Sequence, residues 1–286
     1  MFAHFIQAFV HRKGFCWVII MGAFWETTGF ALRTYSTIDQ TVSSTASAAQ
    51  LLILLSPLWV NAFVYMTFGR MIWYYLPDQK LGGIQAQKMA KYFVWLDITA
   101  FTIQATGGIM DSDFSPEADK IGLHIYTAGI ALQELFVLGF VGLLISFHRK
   151  MASGFGNVER GMGWRTLAWA MYATLALITV RIIYRLAEFA NGGTSGPTIL
   201  STSEAFFYVF EALPMFSAIL VCSIWHPGRF LVGPESYFPV KVSRKERKTA
   251  KRAQREEAKL AKKAKKARKA HKGVRPDSQE VPLTYV

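Results

Sequence analysis

The residues with the greatest chemical potential in this sequence are ionisable side chains set in long apolar runs. Glu26, Arg33, Arg181, Arg185, Glu188, Glu204 and Glu211 lie in stretches otherwise built of aliphatic and aromatic residues. Such a group costs about 2.5–3.5 kcal/mol at the centre of a membrane helix on insertion scales, so it faces the bundle interior and is paired or functional. Glu26, Gly29 and Arg33 follow at i, i+3 and i+7, on one helix face. Arg181, Arg185 and Glu188 share a second face, and Glu204 and Glu211 are seven residues apart. Together these seven place four carboxylates against three guanidiniums at one depth. A second group is Asp97 with Arg70, whose depths are compatible with pairing. Gln104 sits seven residues beyond Asp97 on the same face, and Gln133 and Glu134 lie mid-run in another stretch. Two readings stand: ion pairs that lock helix packing, or a polar pathway through a bundle. Both can hold together.

Other chemistry lacks its signature. There is no G-x-x-x-x-G-K-[ST] phosphate loop and no G-x-S-x-G elbow. None of His4, His11, His124, His148, His226 and His271 forms the H-x-x-x-H pair of a membrane metalloenzyme. Cys16 and Cys222 each sit in an apolar run, where a thiol stays protonated and inert. The expectation is no metal, no cofactor and no enzyme activity.

The elements that position the charges follow from composition. The chain has 286 residues, 52% hydrophobic and only 18% charged, against about 25% charged in a soluble domain. A crossing helix needs about 20 mostly apolar residues, and six runs qualify, near 14–33, 49–75, 92–110, 121–147, 165–189 and 204–226. Backbone polar groups in lipid must be bonded internally, so the fold class is all-α, a six-span transmembrane helix bundle over 14–228. Residues 1–13 form a cytoplasmic N-terminus, without the basic start and cleavage site of a signal peptide, and 229–286 a cytoplasmic tail.

The net charge of +13 resides in that tail: residues 241–275 hold 17 Lys and Arg against 3 Glu, which leaves the remainder at −1. The tail has almost no apolar face. It reads as solvated or lying on anionic headgroups, each basic residue contributing about 1 kcal/mol near the surface. A nucleic-acid partner is not expected for a membrane-anchored segment. With the N-terminus inside, Arg12, Lys13, Lys80, Lys88, Lys91, Arg149, Lys150, Arg160, Arg165 and Arg229 fall on the cytoplasmic side. Only Arg33 and Lys120 fall outside, where Asp111, Asp113, Glu117 and Asp119 cluster. Both termini are therefore expected in the cytoplasm, at a plasma membrane or an endomembrane. Gly107, Gly108, Gly122, Gly129, Gly139 and Gly142 mark close helix contacts, while Pro57 and Pro214 predict kinks.

These residues also form an ordered series of motifs. G-x-x-x-E-x-x-G-[YF]-x-x-R is present as Gly22, Glu26, Gly29, Phe30 and Arg33. Pro57 precedes Tyr65, Met66, Gly69 and Arg70. D-x-x-x-x-x-x-Q-x-x-G-G is Asp97, Gln104, Gly107 and Gly108, followed by Gly122, Gly129 and Gln133. R-x-x-[FY]-R-x-x-E is Arg181, Tyr184, Arg185 and Glu188. Glu204, Tyr208, Glu211 and Met215 come next, and His226-Pro227-Gly228 closes the series. From Gly22 to Gly228 the sequence resembles the fungal lipid-translocating exporter family, of the sphingoid long-chain base exporter and aminosterol-resistance type.

That family spans the membrane seven times, and its first span is without a counterpart here, which gives six spans with both ends inside. Glu211 stands where many members carry Asp. The resemblance implies movement or export of amphipathic lipids, notably sphingoid bases, and resistance to toxic amphiphiles. Membrane lipids and an amphipathic or drug-like substrate would be its partners. A surplus outer carboxylate, with Glu26, Glu188 and Glu211 as candidates, would attract an ammonium headgroup. A membrane receptor or sensor, and less readily a lipid-modifying enzyme, are the alternatives.

Overall fold

A computed structural model of the chain describes residues 1–11, 13–38, 43–110, 116–156, 161–189, 199–239, 249 and 252–262. Arg12, Asp111, Asp113 and Arg160, used above to orient the chain, lie outside the described residues, as does most of the basic tail. The chain divides into two compact units, Met1–Phe238 and Pro239–Val286. In the second, residues 252–262 are helical and exposed, with Leu260 65% accessible.

The first unit is a helix bundle. α1 spans Phe2–His11, and a short 3-10 turn leads into α2, Trp17–Ile38. α3 is Ser43–Tyr75, α4 Ala86–Met110, α5 Pro116–Ala152 and α6 Gly163–Phe189. Two short helices, α7 (Ile199–Thr202) and α8 (Glu204–Phe207), precede a π-helical turn, Tyr208–Ala212, that runs into α9, Leu213–Ile224. Six segments among the described residues are long and apolar enough to cross a membrane: Gly14–Ile38, Thr45–Tyr75, Ala86–Met110, Ala118–Ala152, Gly163–Phe189 and Glu204–Arg229. These are the six predicted spans, extended at their ends. The end where α2, α4 and α6 finish and α3, α5 and α8 start is taken as the upper end.

The α2–α3 and α4–α5 contacts rest on small residues. A Cβ on Gly29 of α2 would lie 2.8 Å from Ile53 Cγ1 of α3, and one on Gly22 would lie 3.2 Å from Trp59 and Val60. A Cβ on Gly107 of α4 would lie 2.4 Å from the Tyr126 nitrogen and 2.5 Å from the Gly122 oxygen of α5. On Gly129 it would lie 2.7 Å from Gln104 Cγ. Backbones approach this closely only where no side chain intervenes. Gly139 and Gly142 do not belong to this set. Both are exposed, with open space around a built Cβ, because they lie on the face of α5 turned away from its neighbours.

α3 continues through Pro57 without a break. Pro214 stands in the first turn of α9, directly after the π turn. α3 and α4 are joined by a hairpin, Lys80–Leu81 with Ile84–Gln85, whose turn places Gly82 and Gly83 at φ +56 and +77. Two adjacent positive φ values are what a two-residue hairpin loop requires.

The lower half of the bundle is an aromatic core. The Phe140 ring lies 4.6 Å from Tyr65, 5.0 Å from Phe68 and 5.0 Å from Phe93, a spacing favoured for edge contacts between rings. α1 descends beside α9 in register: His4 Nε2 meets the Ile219 oxygen at 3.0 Å, Gln7 Nε2 donates to the Ser223 oxygen at 2.9 Å, and the His11 ring stacks on His226 at 4.9 Å. The compact unit extends ten residues beyond the Gly228 boundary read from the sequence. Leu231 and Ser236 are buried, Lys13 Nζ donates to Ser236 Oγ at 2.7 Å, and the Phe238 ring packs on Trp73.

Candidate functional site

The seven charges that the sequence placed at one depth converge in the upper half of the bundle. α6 is continuous from Gly163 to Phe189 and turns Arg181 and Arg185, one helical turn apart, inward, where both are almost wholly buried. Opposite them the π turn carries Glu211, which is 0% exposed. A π turn widens the helix by one residue and is most often retained at functional positions.

Glu211 receives Arg181 Nη2 at 2.5 Å and faces Arg185 Nε at 3.7 Å, so one carboxylate is shared by two guanidiniums. Arg185 also contacts Glu188 Oε2 at 3.3 Å and donates to Tyr126 Oη at 3.1 Å. The Gln50 side chain, with its amide oxygen toward Arg185, accepts from both terminal nitrogens at 2.8 and 3.2 Å. Nearer the surface Arg33 Nη2 pairs with Glu204 Oε1 at 2.9 Å, and its guanidinium covers the Phe207 ring at 4.1 Å.

All three guanidiniums are thereby matched, and the surplus acid is Glu26. Its side chain is 8% exposed, close enough to Arg181 and Glu211 to feel their charges, yet neither carboxyl oxygen has a hydrogen-bond partner among the described residues. The adjacent Ser56 hydroxyl is spent on the Gly22 carbonyl at 3.0 Å.

The predicted pair of Asp97 with Arg70 is not formed. Arg70 donates to the Met66 oxygen at 3.0 Å and stacks on the rings of Phe15 at 3.9 Å and Phe238 at 5.1 Å. This lower aromatic corner satisfies a guanidinium through cation–π contact while its stem lies along apolar surface. Asp97 Oδ2 instead receives Asn61 Nδ2 at 3.0 Å and Tyr65 Oη at 3.0 Å, both from α3. Gln104 reaches across to Gln133 Oε1 at 2.8 Å, joining α4 to α5. Glu134 stands apart, half-buried beside Thr179 of α6.

Two openings meet this polar layer. One cavity of about 630 Å³ is lined by Arg33, Gln50, Gln104 and Tyr126 on its polar side. Ala46, Leu51, Leu54, Ala105, Gly108 and Ile109 line its apolar side. A smaller one of about 110 Å³ is lined by Tyr184, Arg185, Glu188, Phe189, Glu204 and Phe207, and shares Arg33 and Gln50 with the first. Apolar wall and polar rim in one cleft suit a ligand with a tail and a headgroup.

Sequence reasoning missed Gln50, Asn61 and Tyr126. Each is a polar residue inside an apolar run, the signal that identified Gln104 and Gln133. His226 closes α9: its Nδ1 accepts the Gly228 N–H at 3.1 Å, and Pro227 starts the following turn. Gly69 lets α3 approach the Ala86 oxygen, where a Cβ would come within 2.8 Å.

The chain is 44% identical to the probable lipid transporter atnI of Emericella nidulans over 85% of its own length and 66% of that protein. It is 32% identical to protein RTA1 of Saccharomyces cerevisiae over 73% of its length and 64% of the relative. It is 21% identical to the sphingoid long-chain base transporter RSB1 of the same species, over 83% and 70%. The chain thus spans about two thirds of the length of the first two relatives. No solved structure matches it. Residues 19–233, which contain every helix from α3 to α9 and nearly all of α2, match the RTA1-like protein family model, and the chain belongs to that family.

Proposed function

We propose that this multi-pass membrane protein moves amphipathic lipids, sphingoid bases in particular, across the bilayer, and thereby also clears toxic amphiphiles. The observation that carries the reading is the cleft shared by Arg33 and Gln50, apolar along Leu51, Leu54 and Ile109 and charged at Arg185, Glu188 and Glu204. A lipid tail lies against the first set while an amine and its hydroxyl groups exchange with the second. Four carboxylates against three guanidiniums favour a cationic headgroup, and of these four Glu26 is the one with no cation bonded to it among the described residues. The names of the relatives, a probable lipid transporter and a sphingoid long-chain base transporter, support the same substrate class.

Both termini lie in the cytoplasm in this reading, so the upper cluster opens to the outer leaflet. The basic tail rests on anionic headgroups, at about 1 kcal/mol per basic residue near the surface. The plasma membrane is the natural site for such export.

The test is movement of a labelled long-chain base in liposomes holding the purified chain. Losing a charge-assisted contact costs about 1.5–3 kcal/mol, so Glu26→Gln and Glu211→Asn variants that remain folded slow movement at least about tenfold. Movement unchanged in both would remove the carboxylates from the pathway.

A further inference from the structure

Asp97 is the twelfth of the 25 residues of α4, near the middle of a membrane span. It is 1% exposed, and its two partners Asn61 and Tyr65 are 0% exposed. A carboxylate in such surroundings needs a cation, a set of donors or a proton. It forms no salt bridge among the described residues, and Arg70, the nearest cation by sequence expectation, is held elsewhere. From α3 it faces Asn61 and Tyr65. Around that pair lie the Phe93 ring of α4 and the Phe140 ring of α5, and along α4 the next polar group is Gln104.

The donor count is incomplete in an informative way. Asp97 Oδ2 receives both hydrogen bonds, while Asp97 Oδ1 and Asn61 Oδ1 are both buried without a partner. An amide and an ionised carboxyl bonded along one edge carry one acceptor each too many. An amide and a protonated carboxylic acid do not. The acid O–H donates to the amide oxygen while the amide N–H donates to the acid carbonyl, and all four positions are filled. A single proton on Asp97 Oδ1 turns that orphan oxygen into a donor, and the orphan Asn61 oxygen is an open acceptor on a residue already bonded to the same carboxyl.

We infer that Asp97 and Asn61 form a proton-binding site at the α3–α4 contact, and that loading and unloading it couples lipid movement to a proton gradient. The coupling rests on the function proposed above; the site does not. Loading adds one proton to Asp97 Oδ1 and leaves Asn61 and Tyr65 in their present states. Unloading leaves a carboxylate with two donors on one oxygen and none on the other, a state that favours separation of α3 from α4 and entry of water. The route lies upward: Gln104, two turns above Asp97 or about 10 Å at 1.5 Å per residue, lines the larger cavity. Asp97 thus lies below the lipid cleft, with Gln104 the next polar group above it on α4, and does not belong to the ion-paired cluster.

Infrared spectroscopy of the purified chain in lipid nanodiscs tests the site directly. The spectrum of the parent minus that of Asp97→Asn shows the carbonyl stretch of a protonated carboxyl that shifts in heavy water and disappears as pH is raised. Glu26→Gln retains this difference band. Coincident spectra, or a band that follows sodium concentration rather than pH, would overturn the assignment. In liposomes, a gradient of one pH unit biases movement of a long-chain base about tenfold in the parent, and the bias is lost in Asp97→Asn, whose amide preserves the pairing with Asn61. An equal bias in both proteins overturns the coupling. If the parent moves no lipid under any gradient, the transport reading fails, and the infrared band still decides whether the proton site exists.

Discussion

Glu211 and Asp97 are both acids buried to within 1% of complete exclusion, yet they sit in opposite surroundings. Glu211 lies between two guanidiniums, and its charge is what allows Arg181 and Arg185 to remain inside the bundle. Asp97 has an amide and a phenol and, among the described residues, no cation. The first is a fixed charge whose removal strands Arg181 and leaves Arg185 to Glu188 alone. The second is a group whose charge can change without stranding anything. Burial alone therefore does not identify a mobile charge in a membrane bundle; what matters is whether a permanent cation is bonded to the acid.

The largest effect that would break this comparison is on Glu211. Removing one partner of a buried ion pair costs about 3–5 kcal/mol, because the remaining charge is uncompensated. Glu211→Gln is expected to lose that much stability, read as a lower midpoint of thermal unfolding in detergent. Arg181→Gln is expected to be milder, because Arg185 still faces Glu211. Equal midpoints for Glu211→Gln and the parent would mean that the pairs contribute nothing.

The fold was legible because membrane helices announce themselves by length and apolarity. The six runs read from the sequence are the six long helices, and the motif glycines Gly22, Gly29, Gly69, Gly107 and Gly129 all stand at close approaches. Depth was read along a span by converting residue number to height at 1.5 Å per residue, and of the seven charges so grouped, Arg33 pairs with Glu204, and Arg181 and Arg185 with Glu211 and Glu188. Azimuth was not. Arg70 differs from Asp97 in face and in height, since Asp97 is bonded level with Asn61 and Tyr65 while Arg70 lies at least five residues, about 7.5 Å, further down α3 against Phe15 and Phe238, and Gly139 and Gly142 lie on the open face of α5. Nor does composition reveal a π turn. The turn over Tyr208–Ala212 rotates Glu211 relative to a regular helix, and only the structure shows which arginines it meets.

The glycines give the next effect. Overpacking a tight contact costs about 1–3 kcal/mol, and a Cβ on Gly107 would overlap the α5 backbone at Tyr126. Gly107→Ala is expected to destabilise by that amount, whereas Gly139→Ala is expected to change stability by less than about 1 kcal/mol, since nothing surrounds it. Equal losses would show that the α4–α5 contact is looser than its geometry. Smaller again is Asp97→Asn. The amide keeps the shape of the acid and offers its own donor to Asn61, so a shift below about 1 kcal/mol is expected. A loss as large as that of Glu211→Gln would mean that Asp97 is ionised and held by a cation, and the contrast between the two acids would vanish.

The smallest effect concerns α1, where the same logic applies to a base. His4 is 2% exposed; Nε2 is bonded to the Ile219 oxygen, and Nδ1 is buried without a partner among the described residues. Burial lowers its pKa from the ordinary value, with the nearby α-amino group adding to the effect against the backbone hydrogen bond. Such a group is docked neutral. The undocked helix takes up a proton first as pH falls through about 6.5, so the contribution of His4 to docking is complete above that pH and is lost progressively below it. Hydrogen exchange of the α1 amides, corrected for its intrinsic pH dependence, should therefore be faster near pH 5.5 than near pH 7.5. His4→Gln, which retains an N–H donor for the Ile219 carbonyl and cannot titrate, should remove the difference. A pH dependence that survives in His4→Gln would move the titrating group to His11, stacked on His226 at the foot of the same helix pair.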